Sequence, residues 1–517
     1  MKKTLALCLA LVLAATCAAY AAPRGEEMRV GVSIDAKNFD PQNSVDTYSF
    51  TMEKQIYEPL FTVDGKTKEL TPVLAEKYEQ IDEQTYKIYL RKGVKFHNGE
   101  PFTADDVIFS LTRVTDPKQS VFAKSKGMWI DPNGFEKIDD HTLIRRTRGP
   151  VGGFLGSMKH PYASILNRKA VETAGKDYFR QPVGTGPYKF IKWDKGVRVE
   201  MEAFDEYWGT KPYAKKLTFV VLPDNSSRVI ALETGEVDMI YAVPASDFAR
   251  LQESKKVKAV EAPGLVLLHL AMNMDSPKLK DVRVRKAIDA AINKEAYIQV
   301  AYEGYGIPGQ GPLPTACQWF PKDPVKWDYN PELAKKLLAE AAKDDPSVKD
   351  MTLELWVMNA KDRIDGATIL QAMLGQVGIK VNVSVFENAV INDKIRKEHG
   401  HDLYASTWGM QTNRDAGVYW QSVITTTSIA ATNSARISDP EIDKLMDEQN
   451  KCTNDADREA LFQKIWDRMN DLHPWVYLCQ AAELKGAQKD LIGLEDLYDG
   501  KINLLTHLHY PEQERLK

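Results

Sequence analysis

The sequence predicts an α/β protein built from more than one domain, and two observations carry this. Short β-branched or aromatic runs alternate with segments of helical spacing along most of the chain, the pattern of strands interleaved with helices. The 517 residues also carry 43% hydrophobic and 27% charged side chains, ordinary globular values and enough material for two or three separate cores.

Taken in chain order, the first element is an export leader. Lys2 and Lys3 precede an apolar run from Leu5 to Ala15, too short to stay behind as a bilayer span. Ala19-Tyr20-Ala21 supplies the small residues a signal peptidase needs, so cleavage is expected after Ala21, leaving 496 residues. Lipid attachment at Cys17 is disfavoured, because Ala14 and Thr16 stand where a Leu-like residue and a Gly or Ala are usual. A periplasmic protein of a Gram-negative cell is the expectation.

Strands are expected at Met28–Ser33, Tyr86–Leu90 and Leu217–Leu222, each rich in Val, Ile, Leu, Tyr or Phe. Helices are expected at Asp281–Asn293, Leu333–Lys343, Ala367–Val377 and Asp455–Leu472. The second of these follows an Asn330-Pro331 start signal, and the last stops before His473-Pro474. Gly304–Pro314 and Asp344-Asp345-Pro346 are the linker candidates. The net charge is −4, and since the leader holds two lysines and no acid, the remainder is near −6. No strongly basic face is available, which excludes nucleic acid as a partner. Cys8 and Cys17 leave with the leader; Cys317, Cys452 and Cys479 allow one disulfide or none.

One segment is dense in local signals. Leu90-Arg-Lys-Gly-Val-Lys-Phe-His-Asn-Gly-Glu-Pro-Phe-Thr-Ala-Asp-Asp-Val107 reads as a strand, a turn at Asn98-Gly99, and a helix capped by Thr103 with Asp105 and Asp106 in its first turn. Further landmarks follow in order: Gly184-Thr-Gly-Pro-Tyr188, Tyr207-Trp208-Gly209, Leu232-Glu-Thr-Gly-Glu-Val-Asp238, Asn273 with Asp281–Ile288, Gln371–Lys380, and Asp439–Leu445. Together these resemble solute-binding protein family 5, the peptide- and nickel-binding receptors of ABC importers.

The resemblance implies a periplasmic-binding-protein type of α/β fold, with two lobes closing over a cleft by a hinge. Lobe one would take residues 22–64, 181–268 and 486–517, an extra subdomain on it 65–180, and lobe two 269–485, with the hinge crossings near Asn273 and Ala482. It also implies a monomer that binds a short peptide without a cofactor and hands it to a membrane permease. The cleft would be lined by the stretch Asp402–Asp415. There Trp408 would be an apolar wall, and Gly409 would let an extended ligand backbone approach. Gln411 stands where peptide-binding members carry the Asp that pairs with the ligand's α-amino group, and Asp415 lies near a second acidic position. Arg363, just before a helix, is the candidate partner for a ligand carboxylate. Tyr404 and Asn413 are further candidates, and Asp35 to Asp40 with Tyr57-Glu58 would face the cleft from lobe one.

Other signals are weaker. Gly304-Tyr-Gly-Ile-Pro-Gly309 fits G-x-G-x-x-G, but Pro308 sits inside it and no helix opens from it, so it reads as a crossing loop. The pairs His399/His401 and His507/His509 lack the further ligands a metal site needs, so no metal is expected. The rival readings are a receptor for a nickel chelate, glutathione or an opine-like conjugate, a periplasmic hydrolase, and a peptide-binding chaperone.

Overall fold

The computed structural model describes residues 25–64, 66–67, 69–124, 130–410, 415–429, 431–497 and 503–516. The leader, Gln411 and Asn413 lie outside the described residues. Seventeen strands are described: β1 (Glu27–Val32), β2 (Phe61–Val63), β3 (Leu70–Pro72), β4 (Ala75–Gln80), β5 (Thr85–Leu90), β6 (Ile130–Asp139), β7 (Thr142–Thr147), β8 (Tyr188–Asp194), β9 (Arg198–Ala203), β10 (Lys216–Val221), β11 (Met239–Tyr241), β12 (Val257–Met272), β13 (Gly306–Pro308), β14 (Thr352–Met358), β15 (Lys380–Phe386), β16 (Leu403–Gly409) and β17 (Trp475–Gln488).

Among the described residues, eleven strands join in one sheet of order β15-β14-β16-β12-β17-β11-β1-β10-β9-β8, with β13 added on β17. The lobe-one end is laid down by β1, which alternates so that Met28, Val30 and Val32 enter a core shared with Leu217 and Phe219 of β10. β1 runs parallel to β10 on one side and to β11 on the other. At the lobe-two end, helices cover both faces of β16 and β12, giving two separate cores. A four-stranded sheet β4-β5-β7-β6 packs with the helix Ala104–Arg113 over a third core and forms the extra subdomain.

The two lobes share β12 and β17. β12 is 16 residues long, pairs first with the Glu483–Gln488 part of β17, and resumes at Val266 opposite Ala481 after a register break at Ala262. A 16-residue strand spans about 50 Å. The register break at Ala262–Val266 precedes Asn273, near which the crossing was expected. Asn273 lies past the end of β12, deep in lobe two, donating to the carbonyl of His401.

Element ends shifted where tertiary pairing decided them. The helix expected over Asp281–Asn293 ends at Ala290, and a second helix, Lys294–Tyr302, follows it, capped by Asn293. The helix expected from Ala367 begins at Lys361. The supposed linker and crossing loop at Gly304–Pro314 contains β13, an edge strand on β17. Cys317, Cys452 and Cys479 are all thiols.

Candidate functional site

The segments that carry the family resemblance converge on one buried carboxylate in lobe one. Glu58 accepts hydrogen bonds from Thr185 (2.8 Å), Tyr207 (2.8 Å) and the Trp208 indole (2.8 Å). Arg91 stacks over the Trp208 ring at 4.7 Å. His97 ties in the next motif. Its backbone donates to Gly184 O (2.9 Å), its Nδ1 accepts from Gly184 N–H (3.2 Å), and its Nε2 lies 2.9 Å from Gly186 O. Gly184 is required by close approach: a Cβ there would stand 1.9 Å from the Ile56 carbonyl oxygen. Thr103, the expected cap of the subdomain helix, forms a capping box with Asp106.

Glu58 and Asp40, expected to face the cleft, are buried against internal partners. Glu58 is 6% exposed and enclosed by its donors. Asp40 pairs with buried Arg113 at 2.7 Å, and Asp35 accepts from the Trp193 indole and Gly196 N–H. Tyr57 donates to the Phe39 carbonyl. Burial raises Glu58 to about 7, against the bonds from Trp208, Tyr207 and Thr185 and the charge of Arg91.

In lobe two, β16 runs antiparallel to β12, with Trp408 opposite Leu267 and Gly409 opposite Val266 at the end beside the register break of β12. Strand alternation puts Tyr404, Ser406 and Trp408 on one face. The Trp408 ring is partly buried against Tyr419, centroids 5.5 Å apart. Gly409 is exposed, and a Cβ there would meet only Val266 at 3.6 Å, so packing alone does not demand glycine.

Arg363 lies in the first turn of the helix Lys361–Gln376, which begins six residues before the start expected from sequence. Its Nη1 donates to the Tyr302 hydroxyl at 2.5 Å and stands 3.4 Å from the Asp362 carboxylate. Tyr302 in turn donates to Asp362 at 3.2 Å, so the guanidinium is held by a short relay. Its positive charge is felt at Tyr404, His269 and Cys479; burial raises the Tyr404 hydroxyl, with Arg363 pulling the other way. Arg363 and Tyr404 are thus neighbours electrostatically. Asp362 and Tyr302 were not singled out from sequence, although Asp362 adjoins Arg363.

Asp415 is differently placed. It caps the helix Ala416–Val423 by accepting from Gly417 N–H, and its two oxygens meet Arg458 at 2.5 and 2.9 Å. Both side chains of that pair are at most 5% exposed. A carboxylate so engaged is taken up by Arg458 and its own helix cap, an arrangement of a structural ion pair rather than of the amine partner expected from sequence. Arg458, 43 residues away in sequence, gave no prior signal.

No group of three or more metal-ligating side chains occurs among the described residues. The histidines of the two pairs are engaged with backbone, as in His401 with Ser434 O and His507 with Gly493 O. No helix among the described residues is long and apolar enough to cross a membrane.

Residues 69–428 match the bacterial extracellular solute-binding proteins, family 5. The chain belongs to this family. Its activity is therefore binding rather than catalysis, and members work with ABC importers outside the cytoplasmic membrane. A family-5 relative, the glutathione-binding protein GsiB of Pectobacterium atrosepticum, is 30% identical over 475 residues, 90% of each chain. Among solved family-5 folds, the substrate-binding protein CtaP of Listeria monocytogenes superposes with a TM-score of 0.83 at 22% identity, covering 94% of this chain and 100% of that one. DppA of Helicobacter pylori, solved with the peptide STSA, gives 0.76 at 24% identity, covering 94% and 98%. These likenesses establish the shared two-lobed fold.

Proposed function

We propose that this chain captures a short peptide between its lobes and delivers it to the permease of an ABC importer. The observation that carries the reading is the strand pair β12/β17, continuous through both lobes with its register break at Ala262–Val266, a hinge beside the rim formed by Trp408 and Gly409. Arg363 is the partner for a ligand carboxylate, pre-oriented by Tyr302 and Asp362, since a planar guanidinium takes a carboxylate in a two-pronged grip. Trp408 supplies an apolar wall, Gly409 a backbone open to an extended ligand, and Tyr404 a hydroxyl near the Arg363 charge. Residues 1–21 direct export and are cleaved after Ala21, and the mature receptor acts as a periplasmic monomer.

Within this class glutathione is favoured by the GsiB relatives, which align over 90% or more of the chain. Glutathione is itself a tripeptide, with two carboxylates, one of which Arg363 would take. The sequence at 409–415 suits such an anionic ligand. Its one acid is Asp415, which Arg458 occupies, and the amine position reads Gln411.

The reading is tested by native mass spectrometry and thermal shift of the mature protein against glutathione, di- to pentapeptides and a nickel–histidine chelate. A bound peptide raises stability by about 2.7 kcal/mol at a hundredfold excess over its Kd. Stabilisation by the chelate alone would overturn the peptide assignment. Gln411→Asp should strengthen binding of free-amine dipeptides, and unchanged or weaker binding would remove Gln411 from the amine position.

A further inference from the structure

Arg145 stands at a core position of the extra subdomain. In β7 the alternation turns Leu143, Arg145 and Thr147 inward, and Arg145 is 0% exposed. Such positions are normally apolar, and a buried guanidinium needs a counter-charge and a partner for each N–H. Neighbouring β6 gives way to it by losing register. Ile130 pairs with Thr147 and Phe135 with Arg145, so residues 131–134 bulge opposite Arg146 alone. Arg145 Nη1 is used inside this bulge, donating to the carbonyls of Asp131 (3.3 Å) and Arg146. The other edge of the guanidinium is unmatched. Nε and Nη2 carry its two parallel N–H bonds, and neither finds an acceptor among the described residues. No described carboxylate is ion-paired with Arg145; the Asp131 charge acts on it through space. The rings of Phe135 and Phe154 lie 4.3 and 5.5 Å from its central carbon, and such rings favour the charge without accepting in-plane N–H bonds. Burial pulls Arg145 down to about 10, which leaves it charged at neutral pH.

Arg145 also lines a cavity of about 10 Å³, together with Ser157, Tyr162 and the apolar side chains of Leu111, Ile130 and Met158. That is room for a single atom-sized guest and for no polyatomic ion. The polar side chains around it are a guanidinium and two hydroxyls, with no carboxylate or amide oxygen. Ser157 donates to the Phe154 carbonyl at 2.6 Å, whereas the Tyr162 hydroxyl reaches Ser157 Oγ only at 3.4 Å. Burial pushes Tyr162 up to about 12, so it keeps its proton and can turn it toward a guest. We propose that this cavity is a halide site: a chloride ion seats against Arg145 Nε and Nη2 and the Tyr162 hydroxyl, and supplies the counter-charge that Arg145 lacks. A water would accept from the same donors, but it brings no charge and has two protons of its own to place. With the anion seated, Arg145 is held at both edges, by the β6 bulge on one and by the halide on the other. The ion is then part of the subdomain's core and independent of the transported solute.

Bromide is the probe, since it replaces chloride and scatters anomalously. Crystals of the mature protein soaked in sodium bromide and measured at the bromine absorption edge should show an anomalous peak within hydrogen-bond reach of Arg145 Nε and Nη2. Density there without anomalous signal would be a water and overturns the proposal. In solution, replacing sodium gluconate by sodium chloride at equal ionic strength should raise the melting temperature by on the order of 2 °C, because only the folded chain binds the ion. Arg145→Met, which keeps the bulk and removes the charge and the donors, should lose both the peak and the chloride response. If that variant does not fold, Tyr162→Phe, which removes one donor, should need a several-fold higher chloride concentration for the same response. A wild type indifferent to chloride, or a response left unchanged in the variants, overturns the site equally.

Discussion

Glu58 and Arg363 are both buried charged groups, one in each lobe, and their partners differ in kind. Glu58 is closed by three donors drawn from two family motifs, with Arg91 and His97 of a third beside it. Arg363 is held on one side by Tyr302 and Asp362, and it has no carboxylate in a two-pronged grip. The first arrangement is complete without a ligand; the second is oriented for one. The segments that reveal the family thus build the joint between lobe one and its subdomain, whereas the side chains that would meet a solute come from stretches with little family signature.

Disrupting an internally complete charge should cost stability, and disrupting an oriented one should cost affinity. The largest effect is expected at Asp415, which belongs with Glu58 in this respect although it was expected to act like Arg363. Asp415→Asn leaves Arg458 buried beside a neutral partner and should lower the stability of lobe two by about 3–5 kcal/mol, read by chemical denaturation. Unchanged stability with lost solute binding would return Asp415 to the ligand site.

The next effect is a pH dependence of up to about 3 kcal/mol, set by the difference between a pKa near 7 when folded and 4.5 when unfolded. Burial is the main cause of the rise at Glu58. Between pH 4.5 and 7 the folded protein keeps a proton that the unfolded chain has released, so this contribution is full below pH 4.5 and is lost as pH rises to 7. His97 has the opposite slope. Burial lowers it to about 4 from 6.5, so its contribution is full above pH 6.5 and is lost as pH falls toward 4. Glu58→Gln removes the first slope and leaves the second. The melting temperature of wild type minus that of the variant should therefore fall from pH 4.5 to 7, and a constant difference would show that Glu58 stays ionised throughout.

At Arg363 the expected loss is in affinity. Arg363→Met should weaken binding of a carboxylate-bearing peptide by about 100-fold, or about 2.7 kcal/mol, while Arg363→Lys, which keeps the charge but not the fork, should lose about tenfold. Titration calorimetry reads both. Equal binding by Arg363→Met and wild type would assign Arg363 to the Tyr302–Asp362 network alone.

The fold was legible because its signals are local. Thr103, Asp106, Asn98-Gly99 and the β-branched alternation of β1 and β10 act over a few residues, and each formed the element it predicted. The break in the long strand was less legible, since β12 keeps strand character from Val257 to Met272 and only pairing with β17 reveals the register shift at Ala262–Val266. The site was least legible. Whether Asp415 faces a ligand or Arg458, and whether Glu58 faces the cleft or Tyr207, is decided by contacts 43 and 149 residues apart, which no local pattern encodes.

The central claim is that the mature chain binds a peptide-like solute one-to-one and releases it unchanged. Titration calorimetry with glutathione, followed by mass spectrometry of the recovered solute, tests it most directly. The account predicts one solute per chain, recovered intact, with binding weakened about 100-fold in Arg363→Met. A hydrolysed product, or binding of neither glutathione nor any di- to pentapeptide, would contradict it.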